Sequence, residues 1–153
     1  MKPWLWLRVA AGLQAFGTFG HTMAIARTNA TRGPGEQAVF DAMRSFQFSM
    51  TGVNRSHWDI YRGYELYVSV IFAVLAVLIW QVSNLSRTNP RSARPILNTL
   101  LACEVLLDVL NWIYFSPVPG TVGGLIVLCM AAAAFALRED STAAATAQVR
   151  ATV

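Results

Sequence analysis

Four apolar stretches, drawn at about 4–26, 58–82, 95–115 and 119–137, divide the chain. Each matches the roughly twenty residues that cross a hydrocarbon core. They leave one substantial loop and a short tail. Within that loop Val39, Met43, Phe46 and Met50 recur at helical spacing, while Glu36, Gln37, Asp41 and Arg44 fall largely elsewhere on the wheel. The pattern predicts an amphipathic helix over about 35–50, opening after Gly33-Pro34-Gly35. From Arg138 the chain turns rich in Ala, Thr and Ser without apolar periodicity, which predicts a disordered tail over 138–153 behind a transmembrane domain of 1–137. The fold class expected is all-α, a four-transmembrane-helix bundle with an extra amphipathic helix in the first loop.

Composition agrees with the pattern. Of 153 residues, 55% are hydrophobic and only 13% charged, too little polar surface for an ordinary water-soluble domain of this size. The net charge is a modest +4, and the arginines lie in loops and flanks without the aromatic interleaving of a nucleic-acid surface, so no nucleic-acid partner is expected. Cys103 and Cys129 lie in separate apolar stretches and form no Cys-x-x-Cys pair, so they read as small packing residues. Lys2 and Arg8, then an apolar run to Ala24-Ile25-Ala26, imitate a secretory signal, but Gln14, Thr18 and His21 make a poor signal core.

Arginine and lysine placement sets the expected orientation. Lys2, Arg8, Arg87, Arg91, Arg94, Arg138 and Arg150 fall on the side of both termini, against Arg27, Arg32, Arg44 and Arg55 on the other. Seven against four predicts cytoplasmic termini by the positive-inside rule. Trp4, Trp6, Trp58, Trp80 and Trp112 all fall near predicted interfaces, where an amphipathic ring is most comfortable. Pro95 suits the first turn of the third span, and Ser116-Pro117-Val118-Pro119-Gly120 ends it in a tight turn into the fourth. Those two spans are expected as an antiparallel hairpin. In the fourth, Gly120-x-x-x-Gly124 permits close approach of another helix, read as packing inside the bundle.

The chemistry lies in the polar residues inside the apolar stretches. Glu104, Asp108 and Asn111 interrupt the third span at spacings of four and three, which puts them on one helical face. An ionised carboxylate at a bilayer centre costs about 2.5–3.5 kcal/mol on insertion scales, so the protein interior must compensate it. His21 lies in the outer third of the first span, on the face of Gln14 and Thr18, while Arg62 and Glu65 follow Trp58 within two turns. Arg62 and Glu65 are spaced to pair along their own helix, and Tyr61 and Tyr64 offer hydroxyls at the same level. This convergence predicts a polar, partly hydrated site in the outer half of the bundle, composed of His21, Arg55, Tyr61, Arg62, Glu65, Glu104, Asp108 and Asn111. The competing expectation is a set of inert helix-to-helix ties. No Glu-x-x-His or His-x-x-x-His pairing is present, so no metal or other cofactor is expected.

Gly20-His21-Thr22, then Gly52-Val53-Asn54-Arg55-Ser56 and Tyr61-Arg62-Gly63-Tyr64, resemble a group of uncharacterised bacterial four-helix integral membrane proteins. The resemblance covers about the first 65 residues. It implies a bacterial inner-membrane protein and marks His21, Arg55 and Tyr61 as one motif set, with no reaction to carry over. Size, basic balance and helix number are also similar to the membrane-associated enzymes of eicosanoid and glutathione metabolism, whose second helix carries Arg-x-x-x-Asn-x-x-Glu. In the stretch from Arg55, Asp59 and Arg62 occupy the Asn and Glu places, so glutathione binding does not transfer.

The function expected is binding of an amphiphilic or lipid-like small molecule, the apolar walls holding its hydrocarbon and the polar groups its head. The alternatives are a membrane enzyme using Glu104 or Glu65 with His21 in acid and base roles, and an accessory subunit whose intramembrane charges pair with a larger membrane complex. The lipid bilayer is a partner in every case.

Overall fold

The computed structural model describes residues 2–27 and 31–151, with side chains through Arg138. The described elements run α1 (Pro3–Ala26), α2 (Pro34–Ser45), β1 (Gln47–Met50), β2 (Val53–Ser56), α3 (His57–Thr88), α4 (Pro90–Tyr114) and α5 (Pro117–Ala151). The chain is helical as expected, with one small β-hairpin besides. Three helices, α3, α4 and α5 through Arg138, are long and apolar enough to cross a membrane. Only 11% of the most apolar stretch of α4 is buried inside the protein, so its greasy surface needs an apolar solvent. α1 falls outside that set, because Gln14, Thr18, His21 and three glycines dilute its hydrophobicity.

The chain divides into two compact units, one of residues 1–17 with 72–153 and one of 18–71. The domain expected over 1–137 runs across both. In the first unit the buried apolar side chains come from four helical stretches: Leu7, Ala10 and Ala11; Leu75, Ile79 and Val82; Ala93, Leu97 and Leu100; and Ile126, Met130, Ala133 and Leu137. Each set repeats at spacings of three and four, the signature of one helical face turned inward. Polar side chains tie one end of this unit. Ser83 Oγ donates to the Trp4 carbonyl at 2.9 Å, and the Arg8 guanidinium lies over the rings of Trp80 and Trp4 at 4.5 and 5.3 Å. Arg87 covers Trp4 as well, at 5.1 Å. Arginine laid on an aromatic face keeps its charge without a carboxylate partner.

The predicted helix ends need correction. α4 begins at Pro90, not at Pro95, because Asn89 caps it by accepting from Ser92 N at 3.1 Å and Pro90 supplies the fixed first turn. Pro95 therefore sits inside the helix, where it has no N–H to give the carbonyl four residues back. α5 starts at Pro117, and its helical backbone runs past Arg138 where a disordered tail was expected, as alanine's high helix propensity favours. The side chains from 139 on lie outside the described residues.

In the second unit α2 covers Pro34–Ser45, so Phe46 and Met50, expected within a helix over about 35–50, lie outside it. Strands β1 and β2 pair antiparallel in the register Gln47↔Ser56, Phe48↔Arg55, Ser49↔Asn54 and Met50↔Val53. Alternation then sorts the hairpin into a polar face of Gln47, Ser49, Asn54 and Ser56, and a second face of Phe48, Met50, Val53 and Arg55. Thr51 and Gly52, both at positive φ (48° and 85°), make the two-residue turn whose twist suits paired strands. That turn outweighs the helical spacing of Phe46 and Met50. Phe46 stacks on His57 at 5.4 Å and Phe48 meets the same ring tilted at 5.0 Å, which fastens the hairpin to the start of α3.

The same helix start is capped reciprocally: Ser56 Oγ accepts from Asp59 N at 3.1 Å, and Asp59 Oδ2 accepts from Ser56 N at 2.8 Å. Replacing Ser56 by Ala should cost about 1 kcal/mol, and Ser56→Thr should retain most of it. Thermal unfolding in detergent micelles would measure both, and an unchanged Ser56→Ala midpoint would remove the cap from the account.

Candidate functional site

The eight residues singled out from the sequence fall into both compact units: His21, Arg55, Tyr61, Arg62 and Glu65 in the second, Glu104, Asp108 and Asn111 in the first. The two sets have opposite hydrogen-bonding character.

In the second unit the polar groups are matched to one another. Arg62 Nη1 pairs with Glu65 Oε2 at 2.8 Å, the spacing-of-three pair expected, and also donates to the Ile25 carbonyl at 3.1 Å. That carbonyl lies in the last turn of α1, where backbone acceptors have no helical partner, so the guanidinium closes the helix end. His21 Nδ1 lies 3.0 Å from Ser69 Oγ, and Thr22 Oγ1 lies 3.3 Å from the same oxygen. Ser69 also donates to the Glu65 carbonyl at 3.3 Å, and Tyr61 has Glu65 as a side-chain hydrogen-bond partner. Ser69 is the residue that sequence reasoning missed. Its signal was weak, a lone serine in an apolar run, visible only as a partner one turn beyond Glu65. Arg55 stands apart from this network: it is exposed on β2, where its guanidinium donates to the Asn54 carbonyl at 3.1 Å and acts electrostatically on Asp59.

In the first unit the acidic stripe of α4 faces the glycines of α5. Glu104 is 3% exposed, and Asp108 and Asn111 are half-buried. A methyl group built on Gly123 would collide with Asp108 Oδ1 and lie 3.4 Å from Asn111 Nδ2. On Gly124 it would meet Asp108 Oδ2 at 3.6 Å, and on Gly120 it would strike the Trp112 ring at 2.6 Å. The glycines of α5 thus admit the polar face of α4, which is the within-bundle packing expected of Gly120-x-x-x-Gly124. Trp112, one turn beyond Asp108, is a side-chain hydrogen-bond partner of that carboxylate.

Two acceptors remain unmatched. Glu104 Oε1 and Asp108 Oδ1 are buried and have no hydrogen-bond partner among the described residues. Buried polar atoms are almost always paired, and an unpaired acceptor costs about 1–3 kcal/mol, so two of them one turn apart call for a reason. A carboxylate only accepts when ionised and can donate when it carries a proton. The stripe is therefore suited to hold a proton or the donor groups of a small molecule. Among the described residues no group of three or more His, Cys, Asp or Glu side chains is arranged to hold a metal ion. Cys129 is buried in the first unit's core, and Cys103 is exposed on α4; both are free thiols.

No protein-family model, curated protein or solved structure matches this chain.

The glycine contact is directly testable. Gly123→Ala should destabilise the protein by about 1–3 kcal/mol through overpacking, while Gly12→Ala, with open space around it, should be neutral or slightly stabilising. Adding Asp108→Ala to Gly123→Ala should restore much of the loss. Unfolding midpoints of the four variants in one detergent read the coupling, and strict additivity would place Asp108 away from Gly123.

Proposed function

We propose that this chain is a small bacterial inner-membrane protein with both termini in the cytoplasm, and that it binds an amphiphilic small molecule through the Glu104–Asp108 stripe of α4. In this reading α1 crosses the bilayer beside α3, α4 and α5, and the chain belongs with the bacterial four-helix group that its motifs resemble. Three helices of spanning length and apolarity support the membrane setting. So do the exposed apolar side chains of α4, among them Leu106, Val109, Leu110 and Ile113, which suit lipid and not water.

The observation that carries the ligand is the pair of buried carboxylate oxygens without a donor among the described residues. Their chemistry selects a head group that donates hydrogen bonds, such as an ammonium or a cluster of hydroxyls, over one that only accepts. Burial is graded along the stripe, with Glu104 closed in and Asp108 and Asn111 half-buried, so the head approaches from the Asn111 end. The Asn111 amide and the Trp112 indole frame that entrance. The hydrocarbon part of the ligand then lies along the apolar flank of α4, where no desolvation cost opposes it.

Mass spectrometry of small molecules retained after gentle detergent extraction tests this. The unmodified protein should carry an amine- or hydroxyl-bearing amphiphile, and Glu104→Gln and Asp108→Asn should each lower its retention by about tenfold, the weight of one charge-assisted hydrogen bond. Far-UV circular dichroism and a monodisperse elution profile should be unchanged. Retention equal in all three proteins, or an unmodified protein free of any such molecule, would defeat the reading.

A further inference from the structure

At the other end of α4 lies an open concavity of about 340 Å³ lined by Arg91, Arg94, Pro95 and Asn98. Spacings of three and four place these residues along one helical face. Pro95 explains the hollow: it carries no long side chain, and its ring disrupts the regular backbone bond to the turn that holds Arg91. The lining is almost wholly donor, two guanidinium forks and one carboxamide.

Arg91 and Arg94 have no hydrogen-bond, ion-pair or ring partner among the described residues, whereas Arg8, Arg44, Arg62 and Arg87 each rest on a ring, a carboxylate or an amide. Their position compounds the imbalance. Both lie in the first two turns of α4, where the helix dipole is positive, and that first turn holds no acidic residue. Helix α2 is arranged in the opposite and favourable sense, with Glu36 in its first turn and Arg44 in its last. Two cations, Arg91 exposed and Arg94 half-buried, line one hollow at the unfavourable end of a dipole. An anion with several oxygens would pair with both and be drawn by the same dipole.

We infer that the Arg91–Arg94–Asn98 concavity binds a phosphate group. Guanidinium forks match the paired oxygens of phosphate, the Asn98 amide supplies a further donor, and the dipole adds to the attraction. A phospholipid head and a free phosphate ion share this chemistry. The site is separate from the Glu104–Asp108 stripe and opposite to it in charge preference.

The test uses the full chain in mild detergent, with native mass spectrometry as the readout and two probes, phosphatidylglycerol and inorganic phosphate, against phosphatidylcholine as a zwitterionic comparison. Phosphatidylglycerol adducts should fall by about tenfold or more in the Arg91→Gln/Arg94→Gln double variant and stay unchanged in Arg27→Gln/Arg32→Gln, which removes equal charge elsewhere. Asn98→Asp, which leaves both arginines but sets a carboxylate in the lining, should weaken binding while circular dichroism remains that of the unmodified protein. Displacement of the lipid by millimolar inorganic phosphate assigns the site to phosphate itself, and lipid binding that inorganic phosphate leaves intact assigns it to the lipid head. Adducts equally abundant in the Arg91→Gln/Arg94→Gln and unmodified proteins, or lost equally in both arginine pairs, would overturn the inference. Because Glu104→Gln should leave these adducts untouched, this result is read independently of the stripe.

Discussion

A carboxylate can be buried inside an apolar helical hairpin only where the facing helix leaves room for it, and here α5 leaves that room with glycine. Gly123 and Gly124 bring the α5 backbone against Asp108, and Gly120 does the same for the Trp112 ring. Any larger residue at Gly123 would push α4 away or turn its carboxylate out toward lipid. Helix association in a bilayer has no hydrophobic drive, so close packing of small residues has to supply it. The same stripe of glycines thus brings the two helices together and admits the polar face that makes α4 chemically interesting. Stability and site are coupled through one seam.

Matched and unmatched polar groups separate what is structural from what is available for chemistry. Arg62 is consumed by Glu65 and the Ile25 carbonyl, and the His21, Thr22 and Ser69 side chains engage one another. Such a network fixes the approach of two helices and leaves little free capacity, which is what an inert tie requires. Glu104 and Asp108 do not follow that rule, each holding a buried oxygen without a donor among the described residues. Of the two expectations raised by the sequence, ties describe the bonding in the second unit, and a site at Glu104 and Asp108 is the reading proposed above.

The large features were legible because they rest on composition over many residues. Three of the four apolar stretches form helices of spanning character, and the Arg62–Glu65 pair forms at its expected spacing, while the turn expected over Ser116–Gly120 shrinks to Phe115 and Ser116 because Pro117 already opens α5. What the chain hid depended on single residues competing over short distances. Thr51 and Gly52 turned the end of the expected loop helix into a hairpin although Met50 kept the helical period. Asn89 and Pro90 took the start of α4 from Pro95, which a cap search before the proline would have found. Ser69 left no trace in the pattern, because a serine that bridges helices in lipid looks like any other small residue in an apolar run.

Moving the start of α4 five residues upstream changes what the helix can do. Were Pro95 its first residue, Arg91 and Arg94 would be loop cations with no fixed face. With Pro90 in that place they are fixed on one face beside a proline, at the end of the helix dipole that repels them. Ten residues and about 15 Å farther along, at 1.5 Å per residue, the same helix carries Glu104. α4 is thus cationic where its dipole is positive and acidic in its apolar middle, an arrangement that local energetics disfavours at both places. The neighbouring α5, with no charge from Gly120 to Leu137, carries only the packing, so both proposed binding chemistries fall to α4 alone.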